Sequence, residues 1–188
     1  MKVKDLNNSS IKTKRLIKKT FATLINEKKE LSKVSVSELV TRADINRGTF
    51  YNHSDSIYDV AEDFESEVIK LLFEDNKELN SVQKIYLYFD NIINYLNNNE
   101  DLYKMLLASK EPMLFLDKLD NLLYKKLSKS LSSLSNIKNK NDLEINVSFY
   151  VSGAVNQILK YFRGQLDISL NELGQYMKKW LSDIFFKQ

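Results

Sequence analysis

Cysteine is absent from the 188 residues, which excludes disulfides and thiolate metal sites. A reducing compartment is compatible with that absence. One proline and four glycines punctuate the whole chain. An all-β fold needs frequent turn residues, so their scarcity argues for long helices. Histidine occurs once, at His53, with no partner at ligand spacing, so no metal is expected. No glycine-rich phosphate loop, pair of catalytic acids or nucleophile–base set stands out, so neither an enzyme nor a cofactor is expected. No apolar run is long enough to span a membrane. The opening Met1-Lys-Val-Lys-Asp has no apolar stretch behind it to form a signal peptide. A soluble, cytoplasmic protein without a membrane partner is the expectation.

What is present is apolar residues and an uneven charge. Hydrophobic residues make up 43% and aromatics 11%, enough for a sizeable core in one large domain or two small ones. The formal net charge of +3 hides an asymmetry. Residues 1–53 hold 12 Lys/Arg and 5 Asp/Glu, a balance of +7. Residues 54–188 hold 16 and 20, a balance of −4. A basic quarter on an acidic body suggests that the quarter meets a polyanion; the competing reading is a solvated charged surface.

Helical periodicity predicts an all-α fold of nine helices. The first covers 10–28, capped by Ser9 or Ser10, with Ile17, Phe21, Leu24 and Ile25 on one face. Lys12, Lys14, Arg15, Lys18 and Lys19 crowd its first half. Val36, Leu39, Val40 and Ala43 mark a short second helix, and Ser35 with Glu38 reads as a capping box. Asp44 is a turn residue that tolerates the left-handed region, and Asn46 caps a third helix ending near Asn52. A fourth covers 55–75, with Ile57, Val60, Ala61, Phe64, Val68, Leu71 and Leu72 facing inward. The others are expected at 82–98, 101–109, 113–135, 142–164 and 169–186. Pro112 fits the first turn of the seventh, and 132–141 reads as an exposed loop.

The segment from Val36 to His53 carries the functional signal. Two short helices joined by a tight turn can place the second in a DNA major groove. Leu39, Val40, Ala43, Ile45 and Phe50 supply the apolar lock between them. The third helix then has a surplus of polar tips in Asn46, Arg47, Thr49, Tyr51, Asn52 and His53. Arg47 can bond a guanine edge or a phosphate, and Thr49 can touch a thymine methyl. Gly48 lets backbone approach the duplex and offers its N–H to a phosphate. Tyr51 and His53 can set register on backbone oxygens. Lys12, Lys14, Ser35, Thr41 and Arg42 complete the expected DNA-contacting set. The competing reading is an ordinary helical hairpin within a bundle.

The run Asn-Arg-Gly-Thr-Phe-Tyr-Asn-His at 46–53 resembles the recognition helix of the TetR family of bacterial regulators. The first and fourth helices fall where that family has them. The resemblance implies a helix-turn-helix head at 1–54 and an effector-binding and dimerisation body at 55–188. It also implies a two-fold dimer, joined through the last two helices, on a pseudo-palindromic operator. The function implied is a ligand-responsive regulator, expected here to be a repressor. Two positions depart from the family pattern. Ser54 stands where an aromatic usually follows the histidine, and Ile57 where a phosphate-contacting lysine is common. These departures keep open a protein-interaction adaptor of the same fold.

The last two helices are apolar over more than one face, beyond the single stripe that an outer helix of a monomer needs. Phe149, Ser152, Val155 and Leu159 on one, with Tyr176, Trp180 and Ile184 on the other, are the candidate dimer contacts. Ser148, Ser152, Gly153 and Ala154 would permit a close crossing. A buried helix pair inside one monomer is the competing reading. The stretch Phe149–Val155 with the Trp-bearing terminal helix is similar to the subgroup that includes the dihydroxyacetone-kinase operon regulators. A small-molecule effector would sit among the fifth to eighth helices. Tyr86, Phe89, Tyr95, Tyr103, Met105, Met113 and Phe115 are candidates for its pocket, or for plain core.

Overall fold

Few residues in this chain stop a helix, and the structure, a computed structural model, shows how far helices run as a result. It describes residues 2–73, 78–107 and 115–187; the side chains of 2–7, 65, 68, 71–73, 115, 117 and 118 lie outside that description, as do Pro112 and Met113. Nine α-helices and no strand occur among the described residues. They are α1 (Lys2–Lys28), α2 (Val36–Arg42), α3 (Arg47–Tyr51), α4 (Ile57–Phe73), α5 (Val82–Asn98), α6 (Glu100–Leu107), α7 (Phe115–Leu134), α8 (Lys140–Phe162) and α9 (Leu170–Phe185), with a 3₁₀ turn at Leu31–Lys33.

Three expectations are corrected. α1 begins at Lys2, not near residue 10, and neither Ser9 nor Ser10 caps it. Asn and Ser are only mildly unfavourable inside a helix, and no Pro or Gly intervenes. The Ser9 carbonyl instead accepts from the Thr13 hydroxyl at 3.0 Å, one turn on. The loop expected at 132–141 is shorter, because α7 runs to Leu134 and α8 starts at Lys140. At α2 only half of the capping box forms. Ser35 accepts from Glu38 N, but the Glu38 carboxylate turns to Lys28.

The chain forms two compact units, Met1–Val68 with Asp101–Glu111, and Ile69–Glu100 with Pro112–Gln188. In the first unit Ile17, Phe21 and Leu24 of α1, Leu39 of α2, Phe50 of α3 and Val60 and Phe64 of α4 are buried to within 1%. Each such side chain contributes on the order of 1.5–3 kcal/mol relative to an exposed one. The Phe21 and Phe64 rings stack with centroids 5.8 Å apart, joining α1 to α4. Two ion pairs run beside that stack, one turn apart on both helices. Lys14 Nζ is 2.8 Å from Asp63 Oδ2 and Lys18 Nζ 2.5 Å from Glu67 Oε1. Lys18 is buried, and its ammonium also lies 4.8 Å from the Phe64 ring centroid. The Lys18–Glu67 contact is close but not aligned as a hydrogen bond, so it acts as a charge pair.

In the second unit α5, α7, α8 and α9 share one core. Phe89, Tyr150 and Phe185 form a chain of edge-to-face rings with 6.0 Å steps, linking α5, α8 and α9. The buried Tyr150 hydroxyl donates to the Met177 carbonyl at 2.9 Å, so it brings no unsatisfied polar group into that core. α8 ends in a Schellman motif at Gly164 (φ 69°), with Gln165 N–H bonded to the Lys160 carbonyl and Gly164 N–H to Tyr161. Ser169 and Glu172 form a complete capping box at the start of α9. Among the described residues, no helix is long and apolar enough to cross a membrane.

Candidate nucleic-acid interface

The turn between α2 and α3 is built by one residue of unusual backbone. Asp44 has φ 50°, its N–H reaches the Thr41 carbonyl, and Ile45 N–H reaches the Val40 carbonyl. This is a Schellman stop made with Asp in place of Gly, using the tolerance of Asp for the left-handed region. Two residues later Asn46 Oδ1 accepts from Thr49 N–H at 2.6 Å and starts α3. Leu39, Val40, Ala43 and Phe50 are buried in the lock between the helices, and Ile45 is half-buried.

Phe50 is the only buried residue of α3. Asn46, Arg47, Gly48, Tyr51 and Asn52 are exposed, while Thr49 and His53 are half-exposed. One side of this short helix is therefore anchored and the rest faces solvent with its polar groups outward. A Cβ at Gly48 would meet only Asn46 Oδ1, at 3.3 Å. Its missing side chain thus leaves open surface beside the capping oxygen.

The surrounding cations fall into two groups that the sequence does not separate. Arg42 Nη1 is 2.7 Å from Glu27 Oε1, and Arg42 Nη2 is 4.0 Å from Glu38 Oε1. The hydrogen bond from Arg42 holds the Glu27 carboxyl below its ordinary value, and Glu27 in turn raises Arg42. Lys14 is held by Asp63. Lys12 and Arg47 are exposed with no acidic partner among the described residues, and the same is true of Arg15 and Lys19. The last two were not singled out as DNA contacts from the sequence, although their place in the basic first half of α1 was the available signal. Arg47 instead meets a neutral group, with Nη2 2.5 Å from Ser37 Oγ on α2. Ser35 and Thr41 are exposed, the first capping α2 and the second donating to the Ser37 carbonyl at 2.9 Å.

The two departures from the family pattern have a structural account. Ser54 is buried, and its N–H bonds the Phe50 carbonyl at 3.0 Å. Ile57 is also buried, in the apolar side of α4. Asp59 is occupied in closing the turn: its carboxylate accepts from Asp55 N–H at 2.8 Å and from the Ser56 hydroxyl at 3.0 Å.

The other candidate residues lie elsewhere. Phe149 is 77% exposed, Tyr176 51%, Trp180 47% and Ile184 38%, so the outer faces of α8 and α9 carry large apolar groups facing solvent. Ser152 is exposed and donates to Asp120 Oδ1 at 2.9 Å; Val155 and Leu159 are half-buried. Ile145, 54% exposed on the same helix as Phe149, was not singled out from the sequence, although it lies inside the helix expected at 142–164. A Cβ at Gly153 would meet nothing within 4 Å, so no close crossing forms there among the described residues. Of the pocket candidates, Phe89 is buried and Tyr86 and Tyr95 half-buried in the second unit. Tyr103, buried, and Met105, half-buried, belong to the first, while the Phe115 side chain and Met113 lie outside the described residues. No group of three or more His, Asp or Glu among the described residues could hold a metal ion.

Residues 83–183 match a TetR-type family described as a transcriptional regulator C-terminal region. No match is found among curated protein sequences. Three solved structures share the fold. The dihydroxyacetone kinase operon activator DhaS has 20% identity and a TM-score of 0.63, covering 93% of this chain and 97% of its own. A TetR transcriptional regulator from Streptococcus agalactiae 2603V has 21% identity and a TM-score of 0.57, covering 92% and 95%. A transcriptional regulator (TerR/AcrR family) from Aquifex aeolicus VF5 has 21% identity and a TM-score of 0.62, covering 92% and 99%. At such identities the likeness is one of fold.

Proposed function

The chain belongs to the TetR family of transcriptional regulators, a non-enzymatic family, and on that premise we propose that it acts as a homodimeric, ligand-responsive repressor on a pseudo-palindromic operator. The observation that carries this reading is α3 itself. It buries Phe50 alone and turns Asn46, Arg47, Gly48, Tyr51 and Asn52 to solvent, with the Arg47 charge uncancelled by any acid among the described residues. Residues 1–54 are the DNA-binding head, and 55–188 the effector-binding and dimerisation body.

Paired half-sites roughly 34 Å apart require two heads on one rigid body. The exposed apolar groups of α8 and α9 supply a self-complementary face for a second copy, closing a four-helix arrangement. A small molecule bound in the body lowers DNA affinity by favouring a head separation that cannot meet both half-sites. Because its partner is DNA, the protein works in the cytoplasm. Selection of bound duplexes from a random pool, followed by mobility shift, tests the proposal. The expected product is a palindrome-like sequence with half-sites one helical turn apart. Absence of any sequence-selective shift at low salt would sink it.

That negative outcome is what an adaptor of the same fold would give. The observation favouring an adaptor is Ile57, whose burial removes a phosphate contact at the start of α4.

A further inference from the structure

We propose that Ser37, a residue of α2 outside the recognition helix, is a positioning residue that aims Arg47 at one base pair; this rests on the reading of α3 as the recognition helix. Arg47 Nη2 donates to Ser37 Oγ at 2.5 Å, across the turn that joins the two helices. Both side chains are exposed, so the contact serves no core. A solvent-exposed arginine has several rotatable bonds, and most of its rotamers would carry the guanidinium away from any one base edge. The Ser37 hydroxyl removes that freedom before DNA arrives.

The choice of partner matters as much as the contact. Arg42, one turn along α2 from Glu38, is tied to the Glu27 carboxylate, which cancels its charge locally. Ser37 is neutral, so Arg47 is held in direction while keeping its full attraction for guanine O6 and N7. The guanidinium fork has further N–H groups left for the base after one is committed to Ser37. The Ser37 backbone is held in the first turn of α2, where its carbonyl also receives the Thr41 hydroxyl at 2.9 Å. Its own hydroxyl proton remains available to donate while Oγ accepts from Arg47. Pre-setting a side chain in its bound geometry improves recognition by reducing what must be ordered on binding.

The test uses the full-length protein and the duplex recovered by selection, with every operator position changed one at a time. Ser37→Ala is expected to weaken operator binding about three- to tenfold, the range of one net hydrogen bond. Its discrimination should fall at a single base pair per half-site, the same pair at which Arg47→Ala loses selectivity. The salt slope should stay at the wild-type value, since no phosphate contact is removed. Ser37→Thr, which keeps the hydroxyl, should restore both affinity and discrimination. In an Arg47→Ala background, Ser37→Ala should have no further effect. Two results overturn the proposal alone: wild-type binding by Ser37→Ala, or a uniform loss across all sequences with a salt slope reduced by about one, which marks a phosphate contact. A wild-type protein that selects no sequence at all overturns the recognition-helix reading, and the positioning role with it.

Discussion

Gly174 of α9 lies so close to α5 that a Cβ on it would stand 2.9 Å from Ile93 Cγ1. Both residues are buried, and the β-branched Ile93 is stiff at its first side-chain torsion, so it gives way poorly. A glycine inside a helix ordinarily costs about 1 kcal/mol against alanine. Here it is what lets the two helices approach. Gly174→Val should lower the unfolding free energy by about 1–3 kcal/mol through overpacking, read in urea titrations. In an Ile93→Ala background, which removes the atoms in the way, the same substitution should cost less. Equal costs in the two backgrounds would show that the crossing is not set by this pair.

The pairing of cations on α1 separates two lysines that look alike in sequence. Lys12 is exposed without an acid, whereas Lys14 is 2.8 Å from Asp63. If the head sits on DNA as proposed, Lys12→Ala should reduce the slope of log affinity against log salt by about 0.9, the value for one phosphate contact. Lys14→Ala should leave the slope near wild type. Equal changes in the two variants would mean that Asp63 releases Lys14 on the duplex.

Arg42 offers the reverse experiment. Its guanidinium is held by Glu27, and both groups are at the surface. Glu27→Ala removes the nearer of the two carboxylates beside Arg42, leaves only Glu38 at 4.0 Å, and raises the net charge of the head by one. Operator affinity at low salt should rise severalfold and the salt slope should steepen by about 0.9. An unchanged slope would place Arg42 away from the phosphates and remove it from the contact set.

Much of this arrangement is legible in the amino-acid order, and the reasons differ by element. The bounds of α5 follow from its apolar period, with Ile85, Phe89, Ile92 and Leu96 on one face and Ser81 at the cap. Asp44 and Asn46 are legible because turn and cap chemistry is local. The start of α1 is not, because an Asn-Asn-Ser-Ser run is compatible with a cap and with a helix interior. The partners of Arg42, Lys14 and Arg47 were also hidden. Glu27 is 15 residues from Arg42, and Ser37 is 10 from Arg47. Such pairs exist only once α1, α2, α3 and α4 are packed together. Charge composition therefore located the basic head, while only packing shows which of its cations remain free.

The capping box of α9 carries a pH dependence whose sign is fixed by its hydrogen bonds. The Glu172 carboxylate accepts from Ser169 N–H at 2.8 Å and from the Ser169 hydroxyl at 2.7 Å. The backbone bond first, then the hydroxyl, lower its value from the ordinary 4.5. A folded value below the unfolded one means stability that is present above 4.5 and lost as pH falls through the folded value. Glu27, lowered by Arg42, shares that window. Thermal melts of wild type should hold steady from neutrality towards pH 5 and decline below it. Glu172→Gln should show a shallower decline, since one of the two carboxylates no longer titrates. A decline as steep as in wild type would exclude this cap as a contributor.

The exposed aromatic groups of α8 and α9 make the most direct demand on the assembly. Phe149, Tyr176 and Trp180 are exposed aromatic groups on these two helices, and Ile145 and Ile184 add two exposed aliphatic ones. None of these five lies in the core of its own chain, so changing them should spare the fold. Trp180 is 47% exposed while Met177 and Leu181 beside it are buried, which puts it at the edge between core and outer face. A carboxylate there would have to lose its water when two copies meet through α8 and α9. Trp180→Glu should therefore sediment as a monomer, and it should bind single half-sites only weakly. Phe149→Glu should behave in the same way from the other helix. Variants that remain dimeric, with operator affinity intact, would move the interface off these two helices.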